Sequence, residues 1–253
     1  MIAFCTSIIY IISMSFSNKN IKVLLILLPV IAGLAVYLNS INAPFQYDDY
    51  DTIMQNKDIR VLTDFKSIFA HSLFRPVLFF TFAFNYYLSG LNPISYHLFN
   101  IIFHIINIIL VFFISRRLIL NFEGEEESFR GAFITSMFFA VHPIGTEAVT
   151  YISSRSSVLA TFFFFAAFYT YLHIYSADNK TKKYLFYLLM IILFFLGLGS
   201  KEIILTLPII IVLTDIFILR LNSRDTIKRI FSFHLPFVII ILLGIIVRIY
   251  FFL

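Results

Sequence analysis

Long apolar runs broken by short polar stretches set the pattern of this chain. The run "IKVLLILLPVIAGLAVYL" (21–38) holds a single charge, Lys22, and approaches the ~20 residues that a helix needs to cross a bilayer core. Further apolar runs lie at 94–115, 131–142, 156–175, 184–199, 203–219 and 233–253. In lipid a spanning segment must satisfy its own backbone, so such runs predict helices. The expectation is an all-α, polytopic membrane bundle of about seven spans. The segment "RPVLFFTFAFNYYLSG" (75–90) is too short for a comfortable crossing and is expected to lie along the outer interface. Residues 1–20 form an apolar N-terminal segment without the basic start of a signal peptide. Residues 21–253 form the bundle, which ends inside the apolar string "VRIYFFL" as a core that continues would.

Polar positions inside these runs are few and periodic. His97, Asn100, His104 and Asn107 follow at spacings of three, four and three, which places them on one helical face. Such a stripe belongs in the bundle interior or along a wet cavity. In "HPIGTEAVTYISSR", Pro143 stops a helix at His142, and Glu147, Tyr151 and Arg155 recur every fourth residue. A shared face there suits either an internal ion pair or a wall that binds phosphate. Lys201 and Glu202 interrupt two closely spaced apolar runs. Asp215 lies inside the next run, placed to cap its helix or to pair with Arg220.

Charge orients the bundle. Lys19/Lys22, Arg116/Arg117, Lys180/Lys182/Lys183 and Arg220/Arg224/Lys228/Arg229 mark cytoplasmic loops by the positive-inside rule. The alternation closes only if 75–90 does not cross. Residues 39–93, the turn near 142–155 and the turn at 200–202 are then exoplasmic. That side gathers charges of mixed sign next to apolar helices: Asp48, Asp49, Arg75, His97, His142, Glu147, Arg155, Lys201 and Glu202. The acidic pair in "YDDYD" offers a general base toward a hydroxyl or a seat for a divalent cation. With 60% hydrophobic residues, the net charge of +5 is a matter of topology and not of nucleic-acid binding. The one cysteine, Cys5, excludes an intrachain disulfide framework and a cysteine-cluster metal site. Histidines seven apart on a helix are beyond the reach of one ion, so no metal ligands are assigned. No phosphate-binding glycine loop and no serine nucleophile elbow is present.

Taken in order, "YDDYDTIMQN", "FRPVLFFTFAFNYYLSGLNPISYHLFNIIFHIIN", "FAVHPIGTEAVTYISSRSSVLA" and "SKEIILTLPIIIVLTD" resemble the membrane portion of the transmembrane O-mannosyltransferase and tetratricopeptide-repeat family and its bacterial relatives. These belong to the GT-C class of glycosyltransferases that use polyprenol-phosphate sugars. The resemblance spans roughly residues 21–220. It implies a large first exoplasmic loop with an acidic motif and interfacial helices. It implies a donor sugar on a dolichyl or bacterial polyprenyl phosphate and inverting transfer to a hydroxyl of a protein or glycan acceptor. Asp48 takes the place of the base, with Asp49 orienting it. Arg155, Lys201, His97 and Arg75 are then the site cations. The membrane would be a bacterial inner membrane or the endoplasmic reticulum, with the active face exoplasmic. The family's tetratricopeptide repeats are not among the 253 residues. Two other readings stand beside the enzyme: a transporter or lipid flippase whose polar stripe lines a path, and an inactive membrane anchor for a partner or repeat domain.

Overall fold

A computed structural model describes residues 19–219 and Ile239. The expected span at 233–253 and the segment 1–18 therefore lie outside the described residues. Nine α-helices make up the described chain: α1 (Lys19–Tyr37), α2 (Phe65–His71), α3 (Pro76–Ser89), α4 (Pro93–Ile119), α5 (Glu125–Val141), α6 (Gly145–Thr150), α7 (Arg155–Ser176), α8 (Lys180–Leu198) and α9 (Leu207–Leu213). The described chain contains no strand, and the all-α membrane fold holds.

Local sequence explains the boundaries. Asn92 and Asn179 accept the backbone N–H groups of Ile94 and Thr181 and so start α4 and α8. Pro76 and Pro93 occupy the first helical position, where the missing N–H costs nothing. Gly90, at φ +60°, stops α3 and turns the chain into α4.

Four described stretches are long and apolar enough to cross a membrane: Asn20–Ser40, Pro93–Ile119, Ile152–Ile174 and Lys180–Leu198. The four belong to the described residues, and the expected span at 233–253 lies outside them; two other expected runs fall short of a span's length for a physical reason. Helix α5 spends its first turns on Glu125, Glu126, Glu127 and Arg130, and α9 has only seven residues before it loosens into a π turn at Thr214–Ile218. Helix α3 has fourteen residues and, as expected, does not meet the length of a span.

Helix α4 packs against both α5 and α7, α8 packs against α7, and α1 lies against α4 and α5. Gly33 lets α1 approach α4 closely, since a Cβ there would meet Ile108 Cδ1 at 2.6 Å. The main core fills the space between α3, α4, α7, α8 and α9 with Phe82, Tyr96, Leu159, Phe168, Phe194 and Leu207. A second cluster of Leu25, Phe112, Phe129 and Phe133 holds α1, α4 and α5 together.

Three connecting segments meet at one end of this bundle. Asp49 bonds Ser153, the Val77 N–H donates to the Gly199 carbonyl at 2.9 Å, and Arg75 pairs with Glu202 at 3.4 Å. The opposite end holds the Arg116–Glu125 ion pair at 2.8 Å, with Lys22 and Arg116 over the Phe129 ring. Arg116 keeps the Glu125 carboxyl below its ordinary range. Among the described residues, those grouped by charge in the sequence are thus grouped by end in the fold; the cluster Arg220, Arg224, Lys228 and Arg229 lies outside the described residues. With Cys5 replaced, cysteines placed at exposed Thr63 and Thr146 should react with a membrane-impermeant maleimide from the same side. Cysteines at Glu123 and Asp178 should react only from the other side. Labelling of Thr63 and Glu123 variants from one side would break this arrangement.

Candidate functional site

The acidic segment folds as a tight turn. Residues 46–49 close through Asp49 N–H to the Gln46 carbonyl at 2.9 Å, and a single π turn at Tyr50–Met54 follows. The two aspartates then take opposite positions. Asp49 is 1% exposed. Its Oδ1 accepts from the Ser153 N–H at 2.8 Å and the Ser153 hydroxyl at 2.5 Å, and its Oδ2 from the Gln46 N–H at 3.0 Å. Asp48 is exposed, and its carboxylate takes no hydrogen bond from the described residues. Its backbone N–H donates to the Tyr151 hydroxyl at 2.9 Å, and its carbonyl accepts from Thr52. Thr52 also shares a hydrogen bond of 2.8 Å with Ser153. The first loop is therefore stitched to "YISS" of the second by several independent bonds.

Beside this seam lies a cavity of about 380 Å³. Asp49, Glu147, Thr150 and Tyr151 line it, with Gln46 and Tyr47 from the turn. Burial pushes the Tyr151 phenol up from its ordinary value, so at neutral pH its O–H stays a donor. Tyr47 sits at φ +46°, the only described non-glycine residue in the left-handed region. Such a backbone costs on the order of 1–3 kcal/mol and persists only where neighbours hold it. A Tyr47–Tyr151 edge contact, with centroids 6.3 Å apart, completes the rim.

Beneath the seam, Arg155 is fully buried. Its Nε donates to Asn100 Oδ1 at 2.8 Å and its Nη1 to Asn85 Oδ1 at 2.6 Å and to both oxygens of Thr81 at 3.3 Å. Its Nη2 donates to the Tyr96 carbonyl at 3.0 Å, and the rings of Phe82 and Phe99 lie 4.6 and 4.5 Å from its guanidinium carbon. The expected shared face of Glu147, Tyr151 and Arg155 does not form. Helix α6 ends at Thr150, Tyr151 is extended at φ −89° and ψ 118°, and a 3₁₀ turn (Ile152–Ser154) precedes Arg155. That break points Glu147 outward and Arg155 inward, so neither the ion pair nor the phosphate wall exists. Arg155 serves instead to join α3, α4 and α7.

The polar stripe of α4 is buried, and each of its four residues reaches a backbone carbonyl of another segment. His97 Nε2 donates to Ala43 at 3.0 Å, which fixes the proton on that nitrogen. Asn100 reaches Val149 at 3.3 Å, His104 reaches Ala140 at 3.5 Å and Asn107 reaches Val158 at 3.1 Å. His97 thus steadies the stretch of chain that lines the cavity; the stripe ties helices together, and its inner half, His104 and Asn107, also lines the second cavity described below.

The other expected residues lie nearby. Arg75 and Glu202 pair on the surface. Lys201 Nζ donates to Ser157 Oγ at 2.8 Å. His142 caps α5, and its Nδ1 accepts the Ile144 N–H at 3.2 Å. Ser157 and His142 belong to a second, more apolar cavity of about 360 Å³, which Phe138, Phe139 and Val158 also line. Asp215 accepts from the Tyr171 hydroxyl, and Arg220 lies outside the described residues. Among the described residues no group of three or more His, Cys, Asp or Glu side chains is placed to hold one metal ion. Sequence reasoning did not single out Ser153, Thr81 or Asn85, although all three stand in the quoted strings "YISSR" and "TFAFNYY".

Comparison with known proteins bears on the same strings. Protein O-mannosyl-transferase TMTC3 of Homo sapiens is 34% identical over 177 residues, covering 65% of this chain and 18% of the relative. Protein O-mannosyl-transferase TMTC2 of Homo sapiens is 35% identical over 153 residues, 55% of this chain and 18% of the relative. Protein O-mannosyl-transferase F38B6.6 of Caenorhabditis elegans is 30% identical over 207 residues, 77% of this chain and 28% of the relative. Over the matched residues the chain is similar to these protein O-mannosyl-transferases, among them TMTC proteins. It spans less than a third of the length of these relatives, and the activity in their name is that of the longer proteins. No family model and no solved structure matches.

The two aspartates should separate in a stability measurement. Asp49→Asn would turn an amide N–H₂ or a poorer acceptor toward the three donors of Asp49, at about 1–3 kcal/mol. Asp48→Asn should be nearly neutral, within about 0.5 kcal/mol. Thermal unfolding in detergent reads this as a lowered midpoint for Asp49→Asn alone. Removing the Arg155 fork is more severe. Arg155→Ala leaves several buried oxygens without a donor, at about 1–3 kcal/mol each, and should yield little monodisperse protein. Normal recovery of Arg155→Ala would refute the joining role.

Proposed function

We propose that this chain is the membrane portion of a GT-C glycosyltransferase. It moves a sugar, mannose by the name of its relatives, from a polyprenyl- or dolichyl-phosphate to a hydroxyl of a protein or glycan acceptor. The observation that carries this reading is the seam itself: an acidic turn, bonded to "YISS", beside a polar cavity at one end of a membrane bundle. The TMTC relationship supplies the reaction type. The cavity's end lies opposite Lys22, Arg116 and Arg117, and by the positive-inside rule it is the exoplasmic end.

In this mechanism Asp48 accepts the proton of the acceptor hydroxyl, whose oxygen attacks the anomeric carbon from the face opposite the phosphate. The bond from that carbon to the phosphate oxygen breaks, the glycosidic bond forms with inversion, and the lipid phosphate leaves with the electron pair. Asp48 suits the base because its carboxylate is uncommitted, whereas Asp49 is held by three donors and fixes the turn. The apolar cavity beside Lys201 and Ser157 supports a donor that arrives through the membrane plane, with Lys201 the cation closest to it in the hydrogen-bond network. Stabilising the leaving phosphate would be the largest single contribution such a site could make. Each residue of the α4 stripe is bonded to a backbone carbonyl of another segment, which supports a helix-joining role over a transport path, although His104 and Asn107 also line the apolar cavity.

The test is transfer of radiolabelled mannose from polyprenyl-phosphate mannose to membrane or secreted acceptors. The protein extended as in its relatives is compared with its Asp48→Asn and Asp49→Asn variants. Asp48→Asn should lose about 10²–10⁴-fold in kcat while the amount of folded protein is unchanged. Full activity in Asp48→Asn would remove Asp48 from the chemistry. Unchanged cellular function with both aspartates replaced would favour the inactive anchor.

A further inference from the structure

We infer that Tyr47, at the corner it makes with Tyr151, is a stacking platform for a pyranose ring in the cavity beside the acidic turn; this rests on the glycosyltransferase reading. Three observations carry it. The Tyr47 ring is 81% exposed and packs into no core cluster, yet it stands on the only left-handed backbone among the described non-glycine residues. Glycine would fill that backbone position without steric cost, so a bulky aromatic held there points to a use for the ring. The neighbours that hold it are those of the site: Gln46 N–H on Asp49, Tyr50 N–H on the Tyr47 carbonyl at 3.2 Å, and Asp48 N–H on Tyr151. The turn that places the carboxylates therefore also aims the ring.

The chemistry around the ring matches a sugar. Tyr47 and Tyr151 meet at 85°, which forms an aromatic corner, and the Tyr47 side of it is largely exposed. Gln46, Glu147, Thr150 and Asp49 line the same cavity. A pyranose presents a face of C–H groups and an edge of hydroxyls. The C–H face suits the electron-rich ring, and the hydroxyls suit the carboxylates, amide and hydroxyl beside it. Glu147 is the exposed acceptor here, with one long contact to Ser154 at 3.5 Å. A linear polyol offers the same hydroxyls without the flat face. The sugar is either that of the lipid-linked donor or that of a glycan acceptor.

The chain contains no Trp, so Tyr47→Trp gives a single-tryptophan reporter at the platform. Methyl α-D-mannopyranoside should shift its emission saturably in detergent or nanodiscs, and mannitol should not. An emission unmoved by the glycoside, or moved equally by mannitol, overturns the platform. Quenching by spin-labelled lipid without any response to glycoside would place the ring in the headgroup layer and overturn it too. In the transfer assay Tyr47→Phe should stay within about 3-fold of wild type. Tyr47→Asn keeps the left-handed turn but loses the ring, and should raise a KM about 10-fold or more with folding intact. A raised donor KM assigns the platform to the donor sugar, and a raised acceptor KM assigns it to a glycan acceptor. Wild-type KM for both substrates in Tyr47→Asn overturns the proposal. If the wild-type protein transfers no sugar, the glycosyltransferase reading fails, and the fluorescence titration still decides the platform.

Discussion

A guanidinium sealed inside a membrane bundle, with no carboxylate among its hydrogen-bond partners in the described residues, is the constraint on which the site end of this structure depends. An isolated charge at such depth is costly. Arg155 remains there because its N–H groups meet Asn100, Asn85, Thr81 and the Tyr96 carbonyl, with Phe82 and Phe99 against its faces. Neutral oxygens drawn from α3 and α4 must all be in place at once, and the arginine itself begins α7. Three helices are thereby fixed relative to one another immediately below the seam. Asn100 also bonds the carbonyls of Val149 and Tyr151, so the same network reaches the residues that receive the acidic turn.

The bundle was readable from its sequence because run length and charge placement follow directly from the bilayer. The α4 stripe was readable as a face, since 3.6 residues per turn fixes it. Its use was not, because the carbonyls of Ala43, Val149, Ala140 and Val158 that receive it belong to distant segments. The face drawn through Glu147, Tyr151 and Arg155 assumed one continuous helix. Nothing in "EAVTYISSR" forbids that helix locally: no proline or glycine interrupts it. The break comes from tertiary bonds, with Asp49 taking the Ser153 N–H and Tyr151 tied to Asp48. Run length alone also hid how α5 begins, since α5 reads as apolar only after its acidic opening is set aside.

At the site, the strings that carry the TMTC resemblance are those whose side chains converge. Thr81 and Asn85 stand in the α3 string, Asn100 in the α4 string and Arg155 in "YISSR". The adjacent aspartates could not be told apart by sequence. A tight turn sends neighbouring side chains in different directions, so one is enclosed and the other left in the open. Partner geometry, rather than residue type, divides their roles.

Helix α6 has six residues and faces two ways. Glu147 and Thr150 look onto the polar cavity, and Gly145, Ala148 and Val149 onto the apolar one. It is a partition one helix thick between two chambers of different character. A shift or tilt of that wall would alter both cavities at once, whereas a change in the turn at 46–49 or in α5 would reach only one of them.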